Sequence, residues 1–269
     1  MRLLIRLIPI ALFLIYAAYY YITHQSTVPI TGRIHLVELS KQDEINLGIE
    51  SYQKILSQSQ IIEKGQLVEQ VRKIGQRIVK VSDAPYLNWE FTVIQSDKVN
   101  AFALPGGKVA VYTGITPLAE NVNGMATILG HEIAHVIARH GAERLAYEKL
   151  KRLGMFAVNL STGDMDTETK AIIMSAFGLG HYFGMRLPFS RQHETEADYI
   201  GLIYMSRACF DPHAAPKFWE RMAAASSRQD LAFTSTHPSH KTRIAQLRQW
   251  MPEALAIREQ YCGSINNES

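Results

Sequence analysis

The sequence has little that would attract nucleic acid. Its 269 residues carry a formal net charge of only +3, and no block of lysine and arginine stands out. Aromatic residues make up 9% of the chain and are not interleaved with a basic patch. A phosphate backbone is recognised mainly by clustered positive charge, so nucleic acid is not an expected partner. The chain also lacks internal repeats and low-complexity tracts. Its length is sufficient for one sizeable core.

Long apolar runs are equally scarce, since only Leu3 to Ile22 is long enough to cross a bilayer as a helix. Arg2 and Arg6 place positive charge at its leading end, which predicts that this end stays in the cytoplasm. We therefore interpret residues 1–25 as a membrane anchor and residues 26–269 as one domain outside the cytoplasm. In a Gram-negative source this means a single-pass inner-membrane protein facing the periplasm.

The alternative for this segment is a cleaved signal peptide, which would release the protein into the periplasm. Ala17-Ala18 offers only a poor cleavage site, and the tyrosines that follow resemble an interfacial belt. No cysteine lies nearby for lipid attachment. Cysteine is rare throughout, with only Cys209 and Cys262. In an oxidising compartment they can pair, or they can be two unrelated packed thiols, and their spacing does not decide between these.

The most informative motif is His131-Glu132-Ile133-Ala134-His135. Residues four apart lie on the same face of a helix, so His131 and His135 can bind one metal ion. Glu132 lies one step round the helix, where it can act as general base toward a water molecule at the metal. The alternative is a chance pattern on a solvated helix, but the flanking residues are too apolar for an exposed surface.

Catalytic zinc normally takes three protein ligands, so a further donor is needed. The predicted helix that contains Glu194 and Asp198 places these two carboxylates on one face. Glu194 is the candidate third ligand. Asp198 can accept a hydrogen bond from the free ring nitrogen of a ligand histidine and fix its tautomer. Glu196 points to another face and His193 is out of register, so both rank lower.

The periodicity of the chain predicts a mainly α-helical α+β fold with a small sheet. The motif helix is predicted to run unbroken from near Asn123 to beyond Arg144. Pro105-Gly106 suits a type II turn between two strands. Asp164–Thr167 and the segment from Ser226 to Ser239 read as polar loops. Strands are predicted at 89–94, 101–104 and 109–112, and further helices at 42–57, 64–81, 168–179, 192–207, 213–225 and 241–261.

The chain resembles the membrane-associated gluzincin metallopeptidases, which include the CAAX prenyl protease, HtpX and the mitochondrial quality-control metalloendopeptidases. It is most similar to the bacterial, periplasm-facing members. The resemblance implies a zincin-like fold and one Zn²⁺ ion per chain, bound by His131, His135 and Glu194, with Glu132 as base. It rests on blocks at residues 28–33, 100–107, 111–114, 130–140, 190–198 and 236–244, and so covers nearly all of the chain after the apolar segment.

The same resemblance directs attention to His237, whose counterparts can approach the zinc. It would either occupy the open coordination position of the zinc and block water, or help to stabilise the oxyanion. The alternative is that His237 is a loop residue that caps the last helix. Asn100, Ala101 and Phe102 are candidates for binding substrate as an added strand, although Phe102 also suits the core. We interpret His140, His181, His193, His213 and His240 as structural or surface residues, and expect Arg243 to anchor a loop through a carboxylate.

The expected function is zinc-dependent endoproteolysis, with proteins or peptides as substrates. The resemblance implies that these are misfolded or damaged envelope proteins, and other envelope proteins are possible partners. One alternative is a proteolytically latent zinc-binding chaperone or assembly factor, although such a protein has no need of Glu132 as a base. A second is processing of lipidated substrates within the membrane. That chemistry needs a chamber of several membrane helices, and the single apolar run argues against it.

Overall fold

The computed structural model describes residues 2–181, 187–226, 232–233, 237 and 241–263. The helices of this part are α1 (Arg2–Thr23), α2 (Lys41–Leu56), α3 (Gln66–Lys80), α4 (Thr116–Ala119), α5 (Val122–Ile137), α6 (His140–Ser161), α7 (Thr167–His181), α8 (Leu187–Arg207), α9 (Ala214–Ser226) and α10 (Lys241–Cys262). The strands are β1 (Gln25–Thr27), β2 (Ile34–Leu36), β3 (Ile61–Ile62), β4 (Glu90–Ile94), β5 (Ala101–Leu104) and β6 (Lys108–Tyr112). This confirms the predicted α+β class.

The larger sheet has the strand order β3-β4-β6-β5. Strands β4 and β6 are parallel, whereas β3 and β5 pair antiparallel with their neighbours. Gly106 in the turn between β5 and β6 has a φ of +80°, which the third position of a type II turn requires. Among the described residues β5 pairs only with β6, so it forms an edge of the sheet.

The predicted single motif helix is wrong, because the chain breaks between α5 and α6. Arg139 adopts the left-handed conformation with a φ of +54°, which a continuing helix does not allow. Its guanidinium donates hydrogen bonds to Glu44 and to the carbonyl of Leu39, which compensate this unfavourable backbone. The break changes the direction of the chain and brings the His140 ring into contact with the His135 ring.

Helix α5 lies at the centre of the core and carries the motif. Asn121 caps its start by accepting hydrogen bonds from the amides of Asn123 and Gly124. The apolar residues around the motif, including Leu129 and Ile133, are fully buried. Helix α8 crosses α5 at Gly130 and Gly201, where the missing side chains let the two backbones approach closely.

Helix α1 packs along α6. Tyr20 is buried against Ala146, and Arg6 pairs with Asp164 in the loop after α6. Within the described residues, α1 is the one helix long and apolar enough to cross a membrane, from Arg6 to Thr23, and only 6% of this stretch is buried.

Cys209 and Cys262 form a disulfide with a Cα–Cα distance of 5.7 Å. It ties the end of α10 to the turn that follows α8, so the open question about these two thiols is answered in favour of the bond. The predicted loop from Ser226 to Ser239 is only partly described, and it contributes a buried apolar residue, Phe233, which packs on Trp219 and Phe218.

Candidate metal centre

Two histidine rings from one turn of α5 meet at the centre of the site. The Nε2 atoms of His131 and His135 lie 3.1 Å apart, as expected for residues four apart on a helix. His131 is only 2% exposed. Two imidazole nitrogens this close and this poorly solvated suit a shared cation.

Helix α8 supplies a carboxylate to the same point. Oε2 of Glu194 lies 3.2 Å from Nε2 of His131, and Oε1 lies 3.5 Å from Nε2 of His135. Burial by itself would raise the pKa of Glu194, but the surrounding histidines hold it well below its usual value. The carboxylate is therefore ionised, which a metal ligand must be.

A third histidine closes the group. Nδ1 of His237 lies 3.0 Å from Oε2 of Glu194 and 3.2 Å from Nε2 of His131. One donor atom each from His131, His135, Glu194 and His237 lie within 4.8 Å of one another. Two imidazoles with one carboxylate form a ligand set used by catalytic zinc sites, and these residues fit a divalent metal ion.

Glu132 stands beside this group without belonging to it. Glu132 is 1% exposed, and its Oε1 atom has no hydrogen-bond partner among the described residues. Nε2 of His237 lies 3.5 Å from this oxygen. A buried carboxylate oxygen without a partner, next to a metal site, is positioned to accept a proton from a bound water or substrate.

The ring of His131 is held from behind by Asp198. Nδ1 of His131 lies 3.0 Å from Oδ1 of Asp198, and this contact was predicted for a ligand histidine. Burial lowers the pKa of His131, but Asp198 and Glu194 outweigh it and raise the value to about 9. Asp198 also accepts hydrogen bonds of 2.5 and 2.6 Å from Arg243.

Arg243 of α10 joins two carboxylates of α8, those of Glu194 and Asp198. Its Nη1 atom donates to Oε2 of Glu194 at 3.2 Å, and its guanidinium lies 3.6 Å from the centre of the Trp219 ring. Burial raises the pKa of Asp198, but the charge of Arg243 and its hydrogen bonds lower it below its usual value. The expected carboxylate partner of Arg243 is thus Asp198.

His135 is supported differently. Its Nδ1 atom lies 2.7 Å from Nδ1 of His140, and Nε2 of His140 lies 3.0 Å from Oε2 of Glu196. Burial lowers the pKa of His140 to about 3, so the ring is neutral. Residues five apart do not share a helix face, so this contact depends on the break at Arg139, which the sequence pattern did not reveal.

Behind Glu196 lies a buried group of charges. Arg33 donates to Oε2 of Glu196 at 2.8 Å and to both oxygens of Glu143 at 2.8 and 2.7 Å. His193, interpreted above as structural, is fully buried and contacts Glu143 at 2.9 Å. His213 is at the surface beside Asp211. The side chain of His181 and all of Thr236, Pro238 and His240 lie outside the described residues.

A cleft of about 210 Å³ opens onto the site. Phe102 lines it, whereas the side chain of Ala101 is buried and Asn100 lies just before the strand. The carbonyl of Asn100 accepts a hydrogen bond from the amide of Tyr112. The lining residues are Glu44, Phe102, Ala103, Pro105, Glu132, His135, Val136, Arg139, His140, Gly141, Ala142, Arg144 and His237.

A buried His-Glu-x-x-His helix, a carboxylate from a second helix and an adjoining sheet edge define a zincin-like metalloendopeptidase. The model of Peptidase family M48 matches residues 66–251. The chain belongs to this family.

Several curated proteins are similar over most of the chain. The mitochondrial metalloendopeptidase OMA1 of Schizosaccharomyces pombe is 42% identical over 245 residues, which cover 89% of this chain and 70% of that protein. The human mitochondrial metalloendopeptidase OMA1 is 32% identical over 263 residues, covering 92% of this chain and 50% of its own length. The β-barrel assembly-enhancing protease of Escherichia coli is 27% identical, and the match covers 82% of this chain and 46% of that protein.

Proposed function

We propose that this protein is a zinc-dependent endopeptidase that degrades misfolded or damaged proteins of the cell envelope. The observation that carries the proposal is the position of Glu132, a buried carboxylate with a free oxygen beside a complete ligand set. A protein that only bound metal would have no use for it. The similarity to a protease whose name refers to β-barrel assembly supports an envelope role.

In this proposal His131, His135 and Glu194 hold the zinc ion. When bound, zinc would polarise the scissile carbonyl and make the attacking water more acidic. Glu132 accepts the proton of that water and then delivers it to the leaving amine. Asp198 keeps Nδ1 of His131 protonated, so that Nε2 of the same ring faces the metal. The carboxylate of Glu132 can carry the proton because its free oxygen faces the site.

The substrate would bind as an extra strand on β5. Asn100 and Tyr112 are a hydrogen-bonded pair of the antiparallel ladder between β5 and β6. Hydrogen-bonded and non-hydrogen-bonded pairs alternate along such a ladder. The main-chain N–H and C=O groups of Ala101 and Ala103 therefore point away from β6, toward the free edge of β5. Phe102 and Ala103 line the cleft beside Glu132. Main-chain pairing at this edge accepts many sequences, which suits a protease for unfolded chains. Asn100 would lie at the end of this substrate-binding edge.

We further propose that α1 anchors the protein in the inner membrane and that residues 26–269 form the metallopeptidase domain on the periplasmic side. Arg2 and Arg6 favour a cytoplasmic start, and the Cys209–Cys262 disulfide suits an oxidising compartment. The apolar residues of α1 are exposed, as lipid contact requires, including Leu12, Ile15 and Ile22. A periplasmic protein released by signal cleavage is the alternative, and the mass of the mature N-terminus separates the two.

We also propose that His237 holds the protease in a resting state of low activity. Its Nδ1 atom lies among the ligand atoms, where it can take the coordination position that water needs. A protein held in this state could act as a zinc-binding chaperone or assembly factor, which is the second candidate function. The intact Glu132 favours the protease.

The deciding experiment compares the purified full-length protein in detergent with its Glu132→Gln variant on casein, with zinc content measured on both. We expect equal zinc and a loss of cleavage of roughly 10²–10⁴-fold, the usual contribution of a general base. If both proteins hold zinc and neither cuts, the chaperone or assembly role replaces the protease.

A further inference from the structure

The two ligand histidines of α5 are supported unequally. Asp198 contacts His131 directly, at 3.0 Å. Among the described residues, no hydrogen bond or ion pair joins Nδ1 of His135 to a carboxylate. Instead that atom faces Nδ1 of His140 at 2.7 Å. Because a ligand histidine needs its second nitrogen fixed by a partner, His140 stands where a carboxylate usually does.

A metal ion bound at this site would allow only one assignment of the protons. Nε2 of His135 points at the ligand group, 3.5 Å from Oε1 of Glu194, and must be free of a proton to bind metal. The proton of His135 is then on Nδ1 and is donated to Nδ1 of His140. His140 consequently carries its own proton on Nε2, which it donates to Oε2 of Glu196 at 3.0 Å.

Glu196 is in turn fixed by the loop between β1 and β2. Thr31 donates its hydroxyl to Oε1 of Glu196 at 2.6 Å, and Arg33 donates its Nε to Oε2 at 2.8 Å. Glu196 is 6% exposed and His140 is 2% exposed, so the bond between these two side chains is shielded from water. The side chains form one hydrogen-bonded chain from the half-buried Arg33 through Glu196 and His140 to His135.

We propose that His140 is a positioning residue for the metal ligand His135, and that Glu196 and Arg33 act through it. This rests on the proposed metal site and extends it to residues outside the ligand set. His140 fixes the tautomer and ring orientation of His135, while the loop between β1 and β2 fixes Glu196 and, through it, His140. Changes in the Thr31–Arg33 loop should therefore alter the affinity of the site for the metal.

The test is the zinc affinity of the full-length protein, measured by competition with a chromophoric chelator, with the thermal unfolding of each metal-free variant as a second measurement. His140→Leu removes the acceptor. His140→Asn keeps one, because its amide oxygen takes the place of Nδ1. We expect His140→Leu to weaken zinc binding by about 10–100-fold, the usual range for a lost partner of a ligand histidine, and His140→Asn to restore most of it.

Glu143→Gln is the matched control. Glu143 is buried like Glu196 and shares Arg33 with it, but among the described residues no hydrogen bond or ion pair joins it to His140 or His135. We expect this variant to lower the unfolding temperature and leave the zinc affinity nearly unchanged. Asp198→Asn provides the reference for a direct partner of a ligand, since it should weaken zinc binding through His131.

Equal zinc affinities for His140→Leu and the unmodified protein would overturn the proposal. The proposal would also fail if Glu143→Gln lowered the zinc affinity as much as His140→Leu does. The loss of affinity would then follow the loss of stability and would be structural. If Asp198→Asn weakens zinc binding and His140→Leu does not, the metal site stands and the positioning role fails. If the unmodified protein binds no zinc, both fail. Should His140→Leu not fold, Glu196→Gln and Arg33→Gln serve in its place, with a smaller expected loss of affinity.

Discussion

Gly130 of α5 and Gly201 of α8 face each other where the two helices that carry the candidate ligands cross. A Cβ atom added to Gly201 would lie 2.8 Å from the carbonyl carbon of Gly130 and 2.9 Å from the amide nitrogen of His131. Backbone atoms at that distance cannot yield as a side chain can. The separation of these helices, and with it the distance from Glu194 to the histidines, therefore depends on the missing side chains.

Gly201→Ala should push α8 away from α5. We expect a loss of about 1–3 kcal/mol in the free energy of unfolding, as for other overpacked cores, together with weaker zinc binding. Gly178→Ala in α7 is the matched control, since nothing lies within 4 Å of its added Cβ. Chemical denaturation and chelator competition measure the two quantities. A Gly201→Ala protein as stable as the Gly178→Ala protein would contradict the close packing.

His237 should restrain the enzyme. With His237→Ala the coordination position beside Glu194 becomes open to water, and cleavage of casein should rise, by about tenfold if the restrained state is favoured by about 1.4 kcal/mol. A lower rate would instead assign His237 to stabilising the oxyanion, and an unchanged rate would remove both roles. Zinc content, measured alongside, shows whether the metal is retained.

The free edge of β5 gives a main-chain test. Ala103→Pro removes an amide that faces outward and leaves the bonds to β6 in place. We expect KM for an unfolded substrate to rise with little change in stability. Phe102→Pro removes a bond within the sheet and should destabilise the protein. Asn100→Ala tests the end of the surface, and unchanged cleavage there would exclude Asn100 from substrate binding.

Glu143 should make the protein sensitive to acid. Burial would raise the pKa of Glu143, but hydrogen bonds from Arg33, His193 and His35 lower it well below the ordinary value of 4.5. A depressed carboxylate pKa stabilises the fold above 4.5, and this stabilisation is lost as the pH falls below that value.

Glu143→Gln should therefore cost about 3–5 kcal/mol at pH 7, as for a broken buried ion pair, and the difference from the unmodified protein should shrink in acid. Glu220→Gln, at the exposed pair with Arg248, is the control and should change stability by less than about 1 kcal/mol. Urea unfolding at pH 7, 5 and 3 gives the comparison. A difference that stays constant with pH would contradict the assignment.

The disulfide should contribute strongly to stability. It joins residues 53 positions apart, and a closed loop of that length restricts the unfolded chain by about 4 kcal/mol. The double variant Cys209→Ser with Cys262→Ser should unfold at a lower temperature and be indifferent to reductant. Reductant should lower the unfolding temperature of the unmodified protein to a similar value. Two alkylatable thiols in the unreduced protein would show that the bond is absent.

The sequence predicted the elements of this fold well where periodicity was strong. Helix α3 and strands β4, β5 and β6 lie within two residues of their predicted bounds, because each has an apolar pattern of its own period. The spacing of His131 with His135 and of Glu194 with Asp198 likewise placed the right groups on the right faces.

What the sequence did not reveal depends on backbone geometry and distant contacts. Nothing in the pattern around Arg139 indicates a left-handed residue, since its guanidinium donates to Glu44, which is far away in the chain. Without that break, His140 could not be placed beside His135. The burial of Phe233 was missed for a similar reason, because one apolar residue in a polar segment carries no periodicity.

The site also has a definite order of assembly. Its donors come from α5 and α8, and Asp198 is held in place by Arg243 on α10, so the parts lie far apart along the chain. During synthesis the chain has both motif histidines long before it has Glu194, and it gains Arg243 later still. The hydrogen bonds that hold Asp198 in place can therefore form only after α10 has been made.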